Sequence, residues 1–126
     1  MSFTNFLETE ILDHVFGGNA YTAPSTHYLA LYTAAPGETG GGTECTGTGY
    51  ARQTVAFTVS GNEATNSAAV EFPTAGSNWG TITHVGVFDA ASSGNLMAYG
   101  TLSASKAVET GDVFRVPAGD LDITLD

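Results

Sequence analysis

The spacing of apolar positions changes once along the chain, dividing it into one helix and a series of strands. Over residues 3–16, Leu7, Ile11 and Val15 recur every four residues, and Phe3, Leu12 and Phe16 widen the stripe. This is the pattern of an amphipathic helix. Asn5 followed by Glu8 resembles a capping box, although a start at Ser2 serves equally well. Gly17 and Gly18 supply a left-handed stop. The N-terminal helix is therefore placed within residues 1–18 and is expected to bury Leu7, Ile11 and Val15.

After Gly18 the period falls to two. Residues 27–33 (HYLALYT) alternate, and residues 50–60 place Val55, Phe57 and Val59 on one face with Thr54 and Thr58 on the other. Gly61-Asn62 reads as a hairpin turn. Residues 67–72 put Ala68, Val70 and Phe72 on one face, and Pro73 ends the run. Further strands are expected at 81–89, 96–102, 106–109, 112–117 and 120–125, with turns at Ser93-Gly94 and Gly111. Seven or eight short strands joined by turns predict a mainly β fold. The expectation is an antiparallel β-sandwich or jelly-roll-like domain with one N-terminal amphipathic helix, formed as a single domain over residues 1–126. Inward positions include Val55, Phe57, Val59, Phe72, Val85, Val87, Phe114 and Ile123.

Residues 34–49 depart from this pattern. They hold six Gly and four Thr with no apolar period. A loop of this length inside a compact domain is either a flexible hairpin tip or a segment ordered by a partner. Fixing each residue costs roughly 1–2 kcal/mol, so mobility is expected in an isolated subunit.

Composition narrows the function. Thirteen acidic side chains against three basic ones give a net charge of −10. Nucleic-acid backbones require Lys and Arg to displace counterions, and only Arg52, Lys106 and Arg115 are present, so nucleic acid is excluded as a partner. An anionic membrane surface is disfavoured for the same reason, and no apolar run approaches the roughly 20 residues that span a bilayer. The N-terminal segment lacks a basic region, so Sec export is not expected. With Cys45 as the one cysteine, neither a disulfide framework nor a multi-cysteine zinc site can form.

No catalytic, cofactor or metal residue is assigned. His14 falls at a helix C-terminal turn, His27 opens a strand and His84 lies mid-strand. No G-x-S-x-G elbow accompanies them. Asp120 and Asp122 share a strand face, and Asp89, Glu109 and Asp112 lie at turns, but none follows an EF-hand loop. Glycosidase chemistry needs two carboxyls across a cleft. Cys45 has no neighbouring base in sequence, Gly40-Gly41-Gly42 lacks the Lys of a phosphate loop, and Trp79 reads as a core plug.

The ordered segments LETEILDHVFGG, LALYTAAPGETGGGTE, GYARQTVAF, AVEFPTA, WGTITHVGVFDAASSGNLMAYGTLS and GDVFRVPAGDLDITLD resemble a family of small virion structural proteins of tailed bacteriophages, commonly labelled phage tail fibre protein. The resemblance runs over essentially the whole chain. It implies a non-enzymatic, outward-facing virion component that acts in assembly and surface contact and is assembled in the bacterial host cytoplasm. The alternatives are a capsid decoration (cement) protein, which stabilises neighbouring capsid subunits, and a carbohydrate-binding module. Expected partners are further copies of the chain in a trimer or ring, other virion proteins of tail or capsid, and a host surface glycan. The interface is expected at Phe3, Leu7, Ile11 and Val15 of the helix and at Thr43, Glu44 and Thr46 of the glycine-rich loop, with Cys45 shielded there.

Overall fold

The computed structural model describes residues 1–125. Eleven short strands and one helix form among them. Strand β1 (Ser2–Phe3) precedes helix α1 (Asn5–Leu12) and a π-helical turn (Asp13–Gly17). There follow β2 (His27–Ala34), β3 (Thr43–Glu44), β4 (Gln53–Val55), β5 (Phe57–Ser60), β6 (Glu63–Asn66) and β7 (Val70–Glu71). The chain continues through β8 (Gly80–Phe88), β9 (Leu96–Val108), β10 (Arg115–Val116) and β11 (Asp122–Thr124). The fold is mainly β, antiparallel and sandwich-like, as the sequence pattern implies; most strands are broken more finely than expected, whereas the two expected at 96–102 and 106–109 form one continuous strand, β9.

The main sheet runs β1-β9-β8-β2-β3, with β4 also on β2; smaller sheets are β11-β6-β5 and β10-β7. Both faces of the main sheet are covered. Leu29, Leu31, Val85, Val87 and Ala98 pack with Val70, Phe72, Phe114, Val116 and Leu121 from the smaller sheets and their flanks. The opposite face holds Ala30, Tyr32, Phe88 and Leu96. A strand buried on both faces reads as a continuous apolar run, which is what LALY in β2 is. Leu29 and Leu31 are fully buried.

Phe72 centres the core. Its ring stacks on Tyr50 at 6.1 Å and 7° and meets Phe114 edge-on at 5.9 Å. Trp79 packs edge-on against Tyr50 and donates its indole N–H to Thr48 O at 3.0 Å. It is the core plug that its flanking glycines suggest.

The helix differs from its expected form. Thr4, not Asn5, is the N-cap. Its buried hydroxyl donates to Leu96 O at 2.6 Å and accepts from Leu7 N, tying the helix start to β9. Phe3 belongs to β1, and the regular helix stops at Leu12. The π-turn then inserts an extra residue into the repeat, which rotates later side chains off the stripe. Leu7 stays buried and Ile11 half-buried, but Val15 does not reach the protein: it is 60% exposed, beside Leu12 and an 83% exposed Phe16. Gly18 closes the turn at φ 78°, as the double glycine predicts.

Two other expectations shift. Val59 is 72% exposed at the rim of an apolar groove beside the Gly61 turn, while Phe57 and Ile123 are half-buried. Residues 34–49 are tied down by the chain itself. Strand β3 pairs with β2, Cys45 N donates to Leu31 O at 2.8 Å, and Asn5 N donates to Glu38 O at 3.1 Å.

Phe72→Ala is expected to lower stability by about 3–5 kcal/mol, and Thr4→Ala by about 1–2 kcal/mol through loss of the cap. Urea unfolding followed by circular dichroism measures both; equal effects would contradict the packing described.

Candidate functional site

Burial and charge concentrate around one arginine. Arg52, just before β4, has a side chain 8% exposed. Its Nε and Nη2 donate to the two oxygens of Glu44 at 2.9 and 2.8 Å. Its Nη1 donates to Ala90 O at 2.9 Å and Ser93 O at 2.8 Å in the β8–β9 turn. The guanidinium lies over the Phe88 ring, 3.5 Å from its centroid, a stacked arrangement that Lys could not reproduce. Tyr50 completes the group: its hydroxyl donates to Glu44 at 2.6 Å and accepts from Leu31 N at 3.1 Å.

These contacts set the protonation states. Burial pushes Glu44 up, but hydrogen bonds from Arg52 and Tyr50 and the charge of Arg52 outweigh it and hold the carboxyl below its ordinary value. Burial, then the bond to Glu44, raises Tyr50 far above a free phenol. Burial and the Glu44 charge push Tyr32 up to about 12. A carboxylate held ionised, beside phenols held neutral, makes a structural clamp. It offers neither a nucleophile nor a proton acceptor poised near neutrality.

The other candidate groups are likewise engaged in the fold. His14 Nδ1 accepts from Tyr21 N at 3.0 Å, His27 meets Phe57 edge-on, and His84 Nδ1 sits 2.7 Å from Thr83 Oγ1. Asp89 accepts from the backbone and side chain of Asn95, and Asp112 from Glu109 N. Asp122 accepts from Thr65. Among the described residues no three His, Cys, Asp or Glu side chains form a metal-binding group. Cys45 is buried, and that burial raises its thiol pKa.

The seven interface residues expected from sequence do not form one surface. Phe3 and Leu7 line an apolar groove of about 330 Å³ with Phe57, Val59, Ile123 and Leu125. Val15 projects outward from the π-turn. Thr43 and Thr46 are exposed along the β3 segment, whereas Glu44 between them is committed to Arg52. Cys45 is shielded by Leu31 and Trp79 of its own chain, so no neighbouring copy is needed to cover it. Arg52 was not singled out for this role, because an arginine at the head of a strand gives no sign of its distant carboxylate.

Arg52→Ala is expected to cost about 3 kcal/mol, since it leaves a half-buried carboxylate without its partner. Because the folded Glu44 value lies below its ordinary 4.5, its contribution is complete above that pH and is lost as pH falls through the lower folded value. Thermal melts from pH 6 down to pH 3 should therefore fall less steeply for Glu44→Gln than for the wild type. Cys45 should react with a thiol reagent only at the rate of unfolding, in the free subunit as much as in any assembly.

No curated protein matches the chain. The family described as podophage GP4 fiber I protein gp80 matches residues 2–124. That match covers the helix, the main sheet and the clamp. The chain thus belongs to the podophage GP4 fiber I protein family, a family of phage tail-fibre structural proteins found in the virion.

Proposed function

We propose that this protein is a non-enzymatic, outward-facing fibre component that self-associates, as a trimer or ring, and acts in virion assembly and surface contact. The observation that carries self-association is the uncovered end of the first helical segment. Leu12, Val15 and Phe16 are 59, 60 and 83% exposed on consecutive turns. Three large apolar side chains held together in water indicate a surface built to be covered. The apolar groove beside α1 supplies a complementary concavity. A knob on one copy entering a groove on the next is a heterologous contact, which closes into a ring or trimer when the rotation permits. Assembly would take place in the host cytoplasm, with the acidic surface facing outward. The engaged histidines and turn-bound carboxylates support the non-enzymatic reading.

Mass measurement by light scattering is expected to show an oligomer for the wild type and a folded monomer for Phe16→Asp. Each copy carries a charge of −10, so salt should tighten association by screening repulsion between copies. A monomeric wild type at high salt would remove self-association from the proposal. Antibody labelling of intact virions should mark the tail, at a copy number matching tail proteins and not the major capsid protein. Labelling over the capsid would favour a decoration role.

A further inference from the structure

A cleft of about 840 Å³ lies between the second half of β9 and the segment carrying β10 and the turn before β11. It lies within the range of about 300–1,000 Å³ typical of ligand sites. The chain has three basic side chains against 13 acidic ones. Arg52 is consumed by the clamp. The two others, Lys106 and Arg115, both line this cleft. Both are exposed, and among the described residues the one ion pair is Arg52–Glu44. In a molecule of this charge an anion is repelled almost everywhere; this cleft gathers both of these cations and the Met1 ammonium, with Glu71 opposite Arg115 in the β7–β10 pair and Asp120 and Asp122 as the acids nearby, and it is the place where an anion is accepted.

The remaining walls are also chemically specific. Asp120, Thr101 and Ser103 supply hydroxyl-directed acceptors and donors at the rim, while Phe114 and Leu121 contribute apolar floor. One long wall is fixed before any ligand arrives. Buried Asn66 donates to Pro117 O at 3.0 Å and accepts from Leu121 N at 2.9 Å, which locks the turn between β10 and β11. Across the cleft, β9 is bulged: between the pairs Ile82–Lys106 and His84–Thr101, the single residue Thr83 of β8 faces four of β9, residues 102–105. Such bulges re-aim side chains. A preformed site loses less entropy on binding.

We propose that this cleft binds an acidic saccharide. A sugar carboxylate pairs with Arg115 and Lys106, neighbouring ring hydroxyls donate to Asp120 and bond Thr101 and Ser103, and a C–H face rests on the apolar floor. An acidic peptide has the charge, but acidic side chains carry no hydroxyls, and its backbone N–H groups would have to reach Asp120 while its own carboxylates are repelled by Asp120 and Asp122. The biological role of this site rests on the outward-facing placement proposed above, but its chemistry can be tested on the free chain in solution.

Isothermal titration with tetragalacturonate, maltotetraose, hexaglutamate and inorganic phosphate tests it. Tetragalacturonate should bind, with salt-sensitive affinity, and maltotetraose should not. Arg115→Ala, Lys106→Ala and Lys106→Gln, all at exposed positions and checked by unchanged melting, should each weaken binding by about tenfold or more, as expected for a charge-assisted contact. Asp120→Ala separates a sugar from a bare anion: it should weaken tetragalacturonate although it removes a negative charge, whereas a simple anion would bind more tightly. Absence of tetragalacturonate binding, equal binding of hexaglutamate or phosphate, or affinity indifferent to Arg115 and Lys106 would overturn the proposal. Virion labelling tests placement separately, so a failed titration and a misplaced protein give different results.

Discussion

The bidentate pair between Arg52 and Glu44 joins parts of the chain that no sheet hydrogen bond connects. Glu44 lies in β3, the short strand at the sheet edge, while Arg52 reaches the β8–β9 turn through Ala90 O and Ser93 O. Tyr50 adds β2 through Leu31 N. One guanidinium therefore ties β3 and the β8–β9 turn to the segment before β4, and Tyr50 carries the link on to β2. A buried ion pair adds little net stability, because desolvation offsets attraction, but it fixes geometry: removing one partner leaves the other stranded. In a chain with so few cations, no second basic residue is placed to replace Arg52. Ser93 is the sole non-glycine residue with positive φ, at 54°, among the described residues. Its carbonyl is one of those that Arg52 holds, so the clamp stabilises a turn its own backbone disfavours.

That anchoring accounts for the behaviour of residues 34–49. A glycine-rich segment needs compensation to become ordered, and here it comes from within the chain. Strand β3 pairs with β2, Glu44 is clamped, and Cys45 enters the core. Gly42 shows why glycine is used: at φ 77°, a side chain would strike the carbonyls of Ala34 and Ala35 at 2.5 Å. The glycines let the chain double back tightly before it pairs.

The loop is tied down by its own chain, and other exposed features lie outside it. The π-turn leaves Leu12, Val15 and Phe16 in water, and an apolar groove is lined by residues of α1, the β5–β6 hairpin and β11. The cleft between β9 and the β10–β11 turn collects the spare cations. Apolar surface on one side and a charged cleft on another suit a subunit that meets copies of itself through one region and a different ligand through another. The family match places the chain among phage fibre proteins.

The sequence by itself determined the strand content, the antiparallel arrangement, the single helix, the double-glycine stop and the role of Trp79. These follow from local spacing: periods of 3.6 and 2, and turn residues with fixed backbone preferences. The family was legible for the same reason, since its resemblance is carried by turn and core segments in order. Tertiary structure alone decided what those rules leave open. Thr4 rather than Asn5 became the cap because Leu96 O, far along the chain, accepts its hydroxyl. Val15 left the apolar stripe because a π-turn shifted the phase, and Val59 stands 72% exposed at the rim of the apolar groove beside the hairpin turn. Glu44 became half of a clamp, and Lys106 and Arg115 came to share a cleft, through contacts between residues distant in sequence. Hydropathy spacing carries no information about such pairings: it records which face a side chain takes, not which segment will lie opposite.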